Sequence, residues 1–297
     1  MYKNRKSYQP DHTEEYVSEE QTHLLAFLNK VMAGRSNTTI KMYLKRQHCM
    51  INGVPTTQYN APIAPGDVLT VNYTRPYVTF QNRMVTLLHE DDDLIVVEKK
   101  SGLLSVGVPN NREYTCQGIV ERYIQRCYGH GHAYIVHRLD QYTSGILIFA
   151  KTRETMNVLR DAWSTYVVER RYLAVVEGIP EKEEGECASY LAENNAYRVY
   201  STDNPEEGKL AVTRWKTVKT KGNYALLDIE ILTGRKNQIR VHMSEMGHPV
   251  AGDRKYEAKT NPWGRLMLHN NVLQFIHPVT RRQMRFELPA PKSFELN

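Results

Sequence analysis

His137-Arg138-Leu139-Asp140-Gln141-Tyr142-Thr143-Ser144-Gly145 runs directly into the apolar stretch Ile146-Leu147-Ile148-Phe149-Ala150. A lone carboxylate stands beside two cationic side chains, in a bend that hands over to a buried strand. An Asp at a strand end ordinarily caps backbone N–H groups. An Asp set among His137, Arg138 and a Thr-Ser-Gly bend is better suited to being held ionised and aimed at a substrate.

On either side of this run the pattern is rich in strands with helices between them. Leu94 to Glu98 is predicted as a strand, as are Ile146 to Ala150 and Ala225 to Leu232. In the strand predicted over Arg170 to Gly178, Tyr172, Ala174 and Val176 share one side. The spacing of Met156, Leu159 and Trp163 predicts a helix over Arg153 to Tyr166. Another is predicted from Lys236 to Met246, with Gly247 past its end and Pro249 beyond. From residue 85 onward the expected fold is mixed α+β.

The chain has 297 residues, enough for about two domains, and its 41% hydrophobic content can bury a core without staples. Thirty-nine Lys and Arg against 33 Asp and Glu leave +6, which favours a polyanionic partner. Cys49, Cys116, Cys127 and Cys187 form no Cys-x-x-Cys pair, so neither a disulfide framework nor a zinc site is expected. No stretch has the length of a membrane span, and the N-terminus lacks the apolar run of a signal peptide. The expectation is a cytoplasmic protein, monomeric and without a membrane partner.

Residues 1–20 read as a disordered acidic tail. From Gln21 to Gly66 there is no Asp or Glu, while Lys30, Arg35, Lys41, Lys45 and Arg46 are all positive. Leu24, Leu25, Phe27, Leu28 and Val31 recur at helical spacing, and Ile40, Met42 and Leu44 mark a second short helix. Asn52-Gly53 predicts a hairpin turn, and Pro65-Gly66-Asp67 leads into a strand over Val68 to Tyr73. Two helices and a hairpin bearing only positive charge suit phosphate binding. Residues 21–75 form this small α/β domain, 76–84 a linker, and 85–297 the larger domain.

Two further segments carry candidate chemistry. Thr233-Gly234-Arg235-Lys236-Asn237-Gln238-Ile239-Arg240 places cations where a strand gives way to a helix, against the helix dipole. A nearby anion would remove that conflict, either a protein carboxylate such as Asp140 or an RNA phosphate. Within a helix, Lys236 and Arg240 would lie one turn apart and point the same way. The segment is not a P-loop. In Arg171-Tyr172-Leu173-Ala174, a strand tyrosine ordinarily packs in the core with its hydroxyl at the surface; the alternative, for a ring near a catalytic carboxylate, is stacking on a nucleobase.

Residues 21–75 resemble the small alpha-L RNA-binding domain first recognised in a ribosomal small-subunit protein. The likeness rests on Gly34-Arg35-Ser36, Ile51-Asn52-Gly53 and Gly66-Asp67, and departs at His23-Leu24-Leu25 and His48-Cys49-Met50. Residues 87–297 resemble the RluA family of pseudouridine synthases. The matching motifs are His137-Arg138-Leu139-Asp140 with Thr143-Ser144-Gly145, the opening strand with Ser101-Gly102-Leu103-Leu104, Gly252-Asp253-x-x-Tyr256, and Leu268-His269 with His277-Pro278. Lys99-Lys100 and Asn237 depart from the common pattern.

The resemblance implies an α+β catalytic domain built on a mixed, largely antiparallel β-sheet, and an RNA isomerase that needs no cofactor or metal. Asp140 would be the catalytic carboxylate, Tyr172 the ring stacked on the target uracil, and Arg240 the ion-pair partner of Asp140. Arg138 would fill the space left by a flipped-out base, and His137 would serve structure or RNA positioning. Arg235, Lys236 and the five cations of the N-terminal domain would contact RNA, with large-subunit ribosomal RNA the first choice and transfer RNA the second. Two rivals stand beside this reading: a metal-dependent hydrolase using His130, His132, His137 and Asp140, and an RNA-binding factor that has lost catalysis.

Overall fold

The computed structural model describes residues 12–107 and 114–296. Residues 1–11 of the expected tail lie outside them. The chain divides into two compact units, Met1–Gln81 with Val120–His132, and Asn82–Ile119 with Ala133–Asn297.

The smaller unit is built from β1 (Thr13–Val17), β2 (Thr22–His23), α1 (Leu24–Val31), α2 (Asn37–Lys45), β3 (Cys49–Ile51), β4 (Val54–Pro55), β5 (Pro62–Ile63) and β6 (Val68–Asn72). Leu24, Phe27 and Leu28 of α1 and Ile40 and Leu44 of α2 pack on Cys49, Ile63, Leu69 and Val71 in one core. Helix α2 starts where the Ser36 side chain accepts the Thr39 N–H. Asn52 and Gly53 have φ of 49° and 78°, the left-handed pair that a two-residue hairpin between Ile51 and Val54 requires.

Residues 13–17, expected within a disordered tail, instead pair with β6 at the edge of the sheet, Thr13 opposite Asn72 through Val17 opposite Val68. Only Tyr16 of this strand is even half-buried. An exposed edge strand of sequence Thr-Glu-Glu-Tyr-Val carries no apolar alternation to reveal it. The unit also takes in Val120–His132, beyond the sequence range expected for it.

The larger unit runs β7 (Val85–Glu90), β8 (Leu94–Lys99), the start of α3 (Cys116–Tyr128), β9 (Tyr134–Ile135), β10 (Ser144–Ala150), α4 (Arg153–Asp161), α5 (Trp163–Tyr166), β11 (Val167–Glu177), β12 (Glu184–Glu193), β13 (Val199–Thr202), β14 (Lys209–Lys221), β15 (Tyr224–Ile231), α6 (Gln238–Glu245), β16 (Leu268–Ile276) and β17 (Gln283–Glu287). Among the described residues one sheet has the order β13-β12-β14-β15-β11-β16-β10-β8-β7, with β17 on β16 and β9 on β10. Its pairings are antiparallel except the short parallel contact of β10 with β16. The fold is thus α+β with a largely antiparallel sheet, as the sequence predicts.

Every residue of β10 is buried, which is why the run reads as continuously apolar. Gly145 sits where β10 meets β16: its φ is +126°, and a Cβ there would lie 2.2 Å from the Asn270 carbonyl oxygen. Glycine alone allows that approach. The single helix predicted over Arg153 to Tyr166 is broken at Ala162 (φ −119°, ψ 36°), which closes α4 and opens α5.

Candidate active site

Asp140 lies in the turn before β10, and the turn is held through its backbone. Ser105 Oγ donates to the Leu139 carbonyl at 2.6 Å and accepts the Leu139 N–H at 3.1 Å. The Gln141 carbonyl accepts the Gly102 N–H at 2.9 Å, and Ser101 Oγ donates to the Tyr142 carbonyl at 2.6 Å. Lys99, fully buried at the end of β8, completes the clamp. Its ammonium donates to the carbonyls of Leu103 at 2.8 Å, Gln141 at 3.0 Å and Lys100 at 3.2 Å, which uses all three of its protons. Burial pushes its pKa down to about 8, opposed by the charge of Asp140. Segment 99–105 therefore fixes the backbone on both sides of Asp140.

Arg240, in the first turn of α6, meets the carboxylate of Asp140 through Nη1 at 3.0 Å. Its two-pronged face goes elsewhere: Nε and Nη2 bind the two oxygens of Asp253 at 2.6 and 2.8 Å. Nη1 also donates to Asn237 Oδ1 at 3.0 Å, and the guanidinium stacks 5.0 Å from the Tyr256 ring centre. Burial works against the charge on Arg240, but Asp253, with a smaller share from Asp140, holds its pKa above the ordinary value. Asp253 itself is buried. One guanidinium thus serves two carboxylates, and the buried one fixes its direction.

The helix does not begin at Lys236. Asn237 is left-handed (φ 54°) and precedes the first helical residue, Gln238. Its side chain ties Arg240 to the Tyr256 hydroxyl, to which Asn237 Nδ2 donates at 2.9 Å. Lys236 consequently does not share a face with Arg240. It pairs with Glu193, while Arg235 Nε donates to the Leu210 carbonyl at 2.9 Å. The conflict with the helix dipole is therefore smaller than a helix from Lys236 would create, and Arg240 is answered by protein carboxylates.

Tyr172 sits on β11 at a register shift in its pairing with β16, where Asn270 Nδ2 donates to the Arg171 carbonyl at 2.9 Å. Such bulges re-aim a side chain. The ring is buried, and burial raises the phenol pKa, with Arg170 lowering it and Asp140 raising it further. The hydroxyl keeps its proton and feels the Asp140 charge.

Arg138 is exposed beside the site. His137 faces the other way. Its Nε2 accepts the Ile148 N–H at 3.2 Å, its ring lies 4.9 Å from that of Trp163, and burial with Arg170 nearby pushes its pKa down to about 3. A neutral acceptor completing the end of the β9–β10 pairing is a structural part. In the smaller unit Lys30 pairs with Glu20 and Arg35 stacks on Tyr43 and Tyr73. Lys41 is exposed on α2, and Lys45 and Arg46 line an open cavity of about 650 Å³ with His48 and Arg126.

The clamp residues and Asp253 are what sequence reasoning missed as functional parts. Lys99 registered only as half of an unusual Lys-Lys pair, and Asp253 only as a motif letter. Among the described residues one group of side chains has metal-ligand character: the potential ligand atoms of Asp91, Asp93 and His277 lie within 4.8 Å of one another. His277 Nδ1, however, accepts the N–H groups of Val279 at 3.2 Å and Thr280 at 3.0 Å. The ring proton must then sit on Nε2, facing Asp91 at 3.3 Å, and that nitrogen has no lone pair for a metal.

The comparisons agree with this geometry. Residues 93–245 match the family described as RNA pseudouridylate synthase. The chain is 35% identical to the dual-specificity RNA pseudouridine synthase RluA of Escherichia coli O157:H7, over 74% of this chain and 97% of that one. It is 33% identical to the uncharacterized RNA pseudouridine synthase YjbO of Bacillus subtilis (strain 168), over 76% of this chain and 81% of that one. A solved structure, human RNA pseudouridylate synthase domain containing 1, shares the fold with a TM-score of 0.58 at 21% identity, covering 74% of this chain and 88% of that one. With the matched region taking in the Asp140 turn, the Tyr172 strand and the Arg240 helix, the chain belongs to the RluA family of RNA pseudouridine synthases.

Proposed function

We propose that the chain isomerises uridines of structured RNA, large-subunit ribosomal RNA first and transfer RNA second, with Asp140 initiating the reaction. In this reaction the bond from ring nitrogen N1 to the ribose breaks and a bond from C5 to the same sugar carbon forms. C5 loses its proton and N1 gains one, so nothing is oxidised and no group is imported. Attack on the sugar and passage through a glycal-like species both start from an ionised carboxylate. The observation that carries the reading is Asp140 facing the Arg240 guanidinium at 3.0 Å while Asp253 holds that guanidinium from behind. Extruding the base costs a few kcal/mol, which stacking on Tyr172 and insertion of Arg138 offset.

The basic helices and hairpin of the smaller unit support its reading as an alpha-L type domain that grips phosphates irrespective of sequence. The buried thiols of Cys49 and Cys116, neither of them in a disulfide, support a reducing, cytoplasmic setting, and the working state is taken to be a monomer. The test is conversion in vitro of tritium-labelled transcripts, read as release of the C5 tritium, with Asp140→Asn as control. Mapping pseudouridine in cellular RNA with and without the protein then names the site. RNA binding without conversion would establish the reading as a factor that has lost catalysis.

A further inference from the structure

The turn between β12 and β13 places an aromatic ring in an unusual setting. Tyr197 is 73% exposed and adopts φ +57°, a left-handed conformation that is rare for a bulky residue. The turn around it is rigid. Asn194 Oδ1 accepts the N–H groups of Ala196 and Arg198 at 3.0 Å each, and the Tyr197 N–H donates to the Asn194 carbonyl at 2.9 Å. Strain of this kind persists where the surroundings impose it, and here they present the ring to solvent.

Two ammonium groups flank it. Lys236 Nζ lies 5.7 Å from the ring centre, and Lys255 Nζ donates to the Tyr197 carbonyl at 2.8 Å. Arg198 is exposed alongside, while Glu193 and Glu257 are the carboxylates that pair with Lys236 and Arg198. Cations outnumber carboxylates in this patch. It is also continuous with the site: Lys255, Arg198 and Arg240 all lie against the Tyr256 ring, at 5.8, 5.5 and 5.0 Å. The ammonium of Lys255 feels the charges of both Arg240 and Asp140.

We propose that Tyr197, with Lys236 and Lys255, is a docking platform for an unpaired nucleotide neighbouring the target uridine, its base stacked on the ring and its phosphates between the two ammoniums. An exposed aromatic face interleaved with cations is the chemistry that single-stranded nucleic acid recognises without sequence preference. Stacking releases Lys236 from the ring toward phosphate. The platform rests on the RNA substrate of the proposed function but not on which RNA that is.

The left-handed backbone supplies a discriminating variant. Tyr197→Gly removes the ring while relieving the strain, so the protein should fold at least as well as the parent. In full-length protein carrying Asp140→Asn, adding Tyr197→Gly should weaken binding of a short fluorescein-labelled single-stranded oligoribonucleotide about tenfold. Tyr197→Phe should restore it. Lys255→Gln should lower the slope of log affinity against log salt by about one. In the otherwise wild-type enzyme the loss should fall on KM for a tritium-labelled transcript rather than on kcat. Binding within twofold of the parent for Tyr197→Gly, or failure of Tyr197→Phe to restore it, overturns the platform. Weakened oligonucleotide binding by an enzyme that converts no transcript would instead locate the failure in the proposed reaction.

Discussion

Arg240 gives its bidentate fork to Asp253 and a single N–H to Asp140. The Asp253 side chain is 1% exposed and that of Asp140 24%, so the arrangement is graded by burial. The buried carboxylate orients the guanidinium, and the more open one meets it through a single oxygen. A symmetrical fork onto Asp140 would tie up both of its oxygens.

Asp253→Asn keeps the shape and removes the charge. Removing the buried partner leaves Arg240 with only the single contact to the more open Asp140, so unfolding free energy should fall by about 3 kcal/mol. The folded fraction should lose about 100-fold in kcat, because the Asp140 partner is no longer aimed. Arg240→Lys should also be costly, since an ammonium cannot span the two carboxylates in that geometry. Equilibrium denaturation and tritium release measure both. An Asp253→Asn enzyme as stable and active as the parent would remove Asp253 from the site.

Gly145 lies five residues past Asp140, at the approach of β10 to β16. Gly145→Ala puts a methyl against the Asn270 backbone with an unfavourable φ, a clash that cannot be relieved by turning a side chain. A loss of about 3 kcal/mol or more is expected in urea denaturation. A variant within about 1 kcal/mol of the parent would show that the two strands separate readily there.

The parts of the site that were legible in the sequence are those carried by contiguous motifs. Asp140 sits in a nine-residue run and Arg240 in a strand-to-helix junction, and β10 declares itself by seven buried residues in succession. Lys99 and Asp253 were not legible, because what they do is defined by partners 42 and 13 residues away. The start of α6 was misread because Asn237 turns left-handed to tie Arg240 to Tyr256, a tertiary demand that overrides helix periodicity. Strand β1 was missed for the opposite reason: its edge position leaves its side chains largely in water, so no apolar pattern marks it.

His137 stands next to Arg138 and close to Asp140 in sequence, yet its ring is occupied by the Ile148 N–H. Its depressed pKa means that the fold favours the neutral ring. The associated stability is fully present above the ordinary value of 6.5 and is lost as pH falls toward about 3. The pH–rate profile should therefore show no limb from His137 between pH 5 and 8. His137→Phe should cost about 1–3 kcal/mol by leaving a buried N–H unpaired, while the folded enzyme keeps most of its kcat. A large kcat loss with unchanged stability would assign His137 to the chemistry instead.

Lys99 is the group in the clamp that titrates near the working range. Its ammonium meets only carbonyl oxygens, with Asp140 favouring the charge and Arg265 opposing it. As pH rises through about 8 the ammonium is lost, and with it the strongest donor to Gln141, the residue after Asp140. kcat should fall along an alkaline limb with that midpoint. The sign of the linkage separates this from unfolding. Between about 8 and the ordinary 10.5 the unfolded chain holds a proton that the folded chain has shed, so this group makes the fold more stable with rising pH. Lys99→Met should lower kcat at every pH and abolish the limb, and Lys99→Arg should restore part of the rate without the midpoint near 8. A limb of unchanged midpoint in Lys99→Met would assign the alkaline loss to another group.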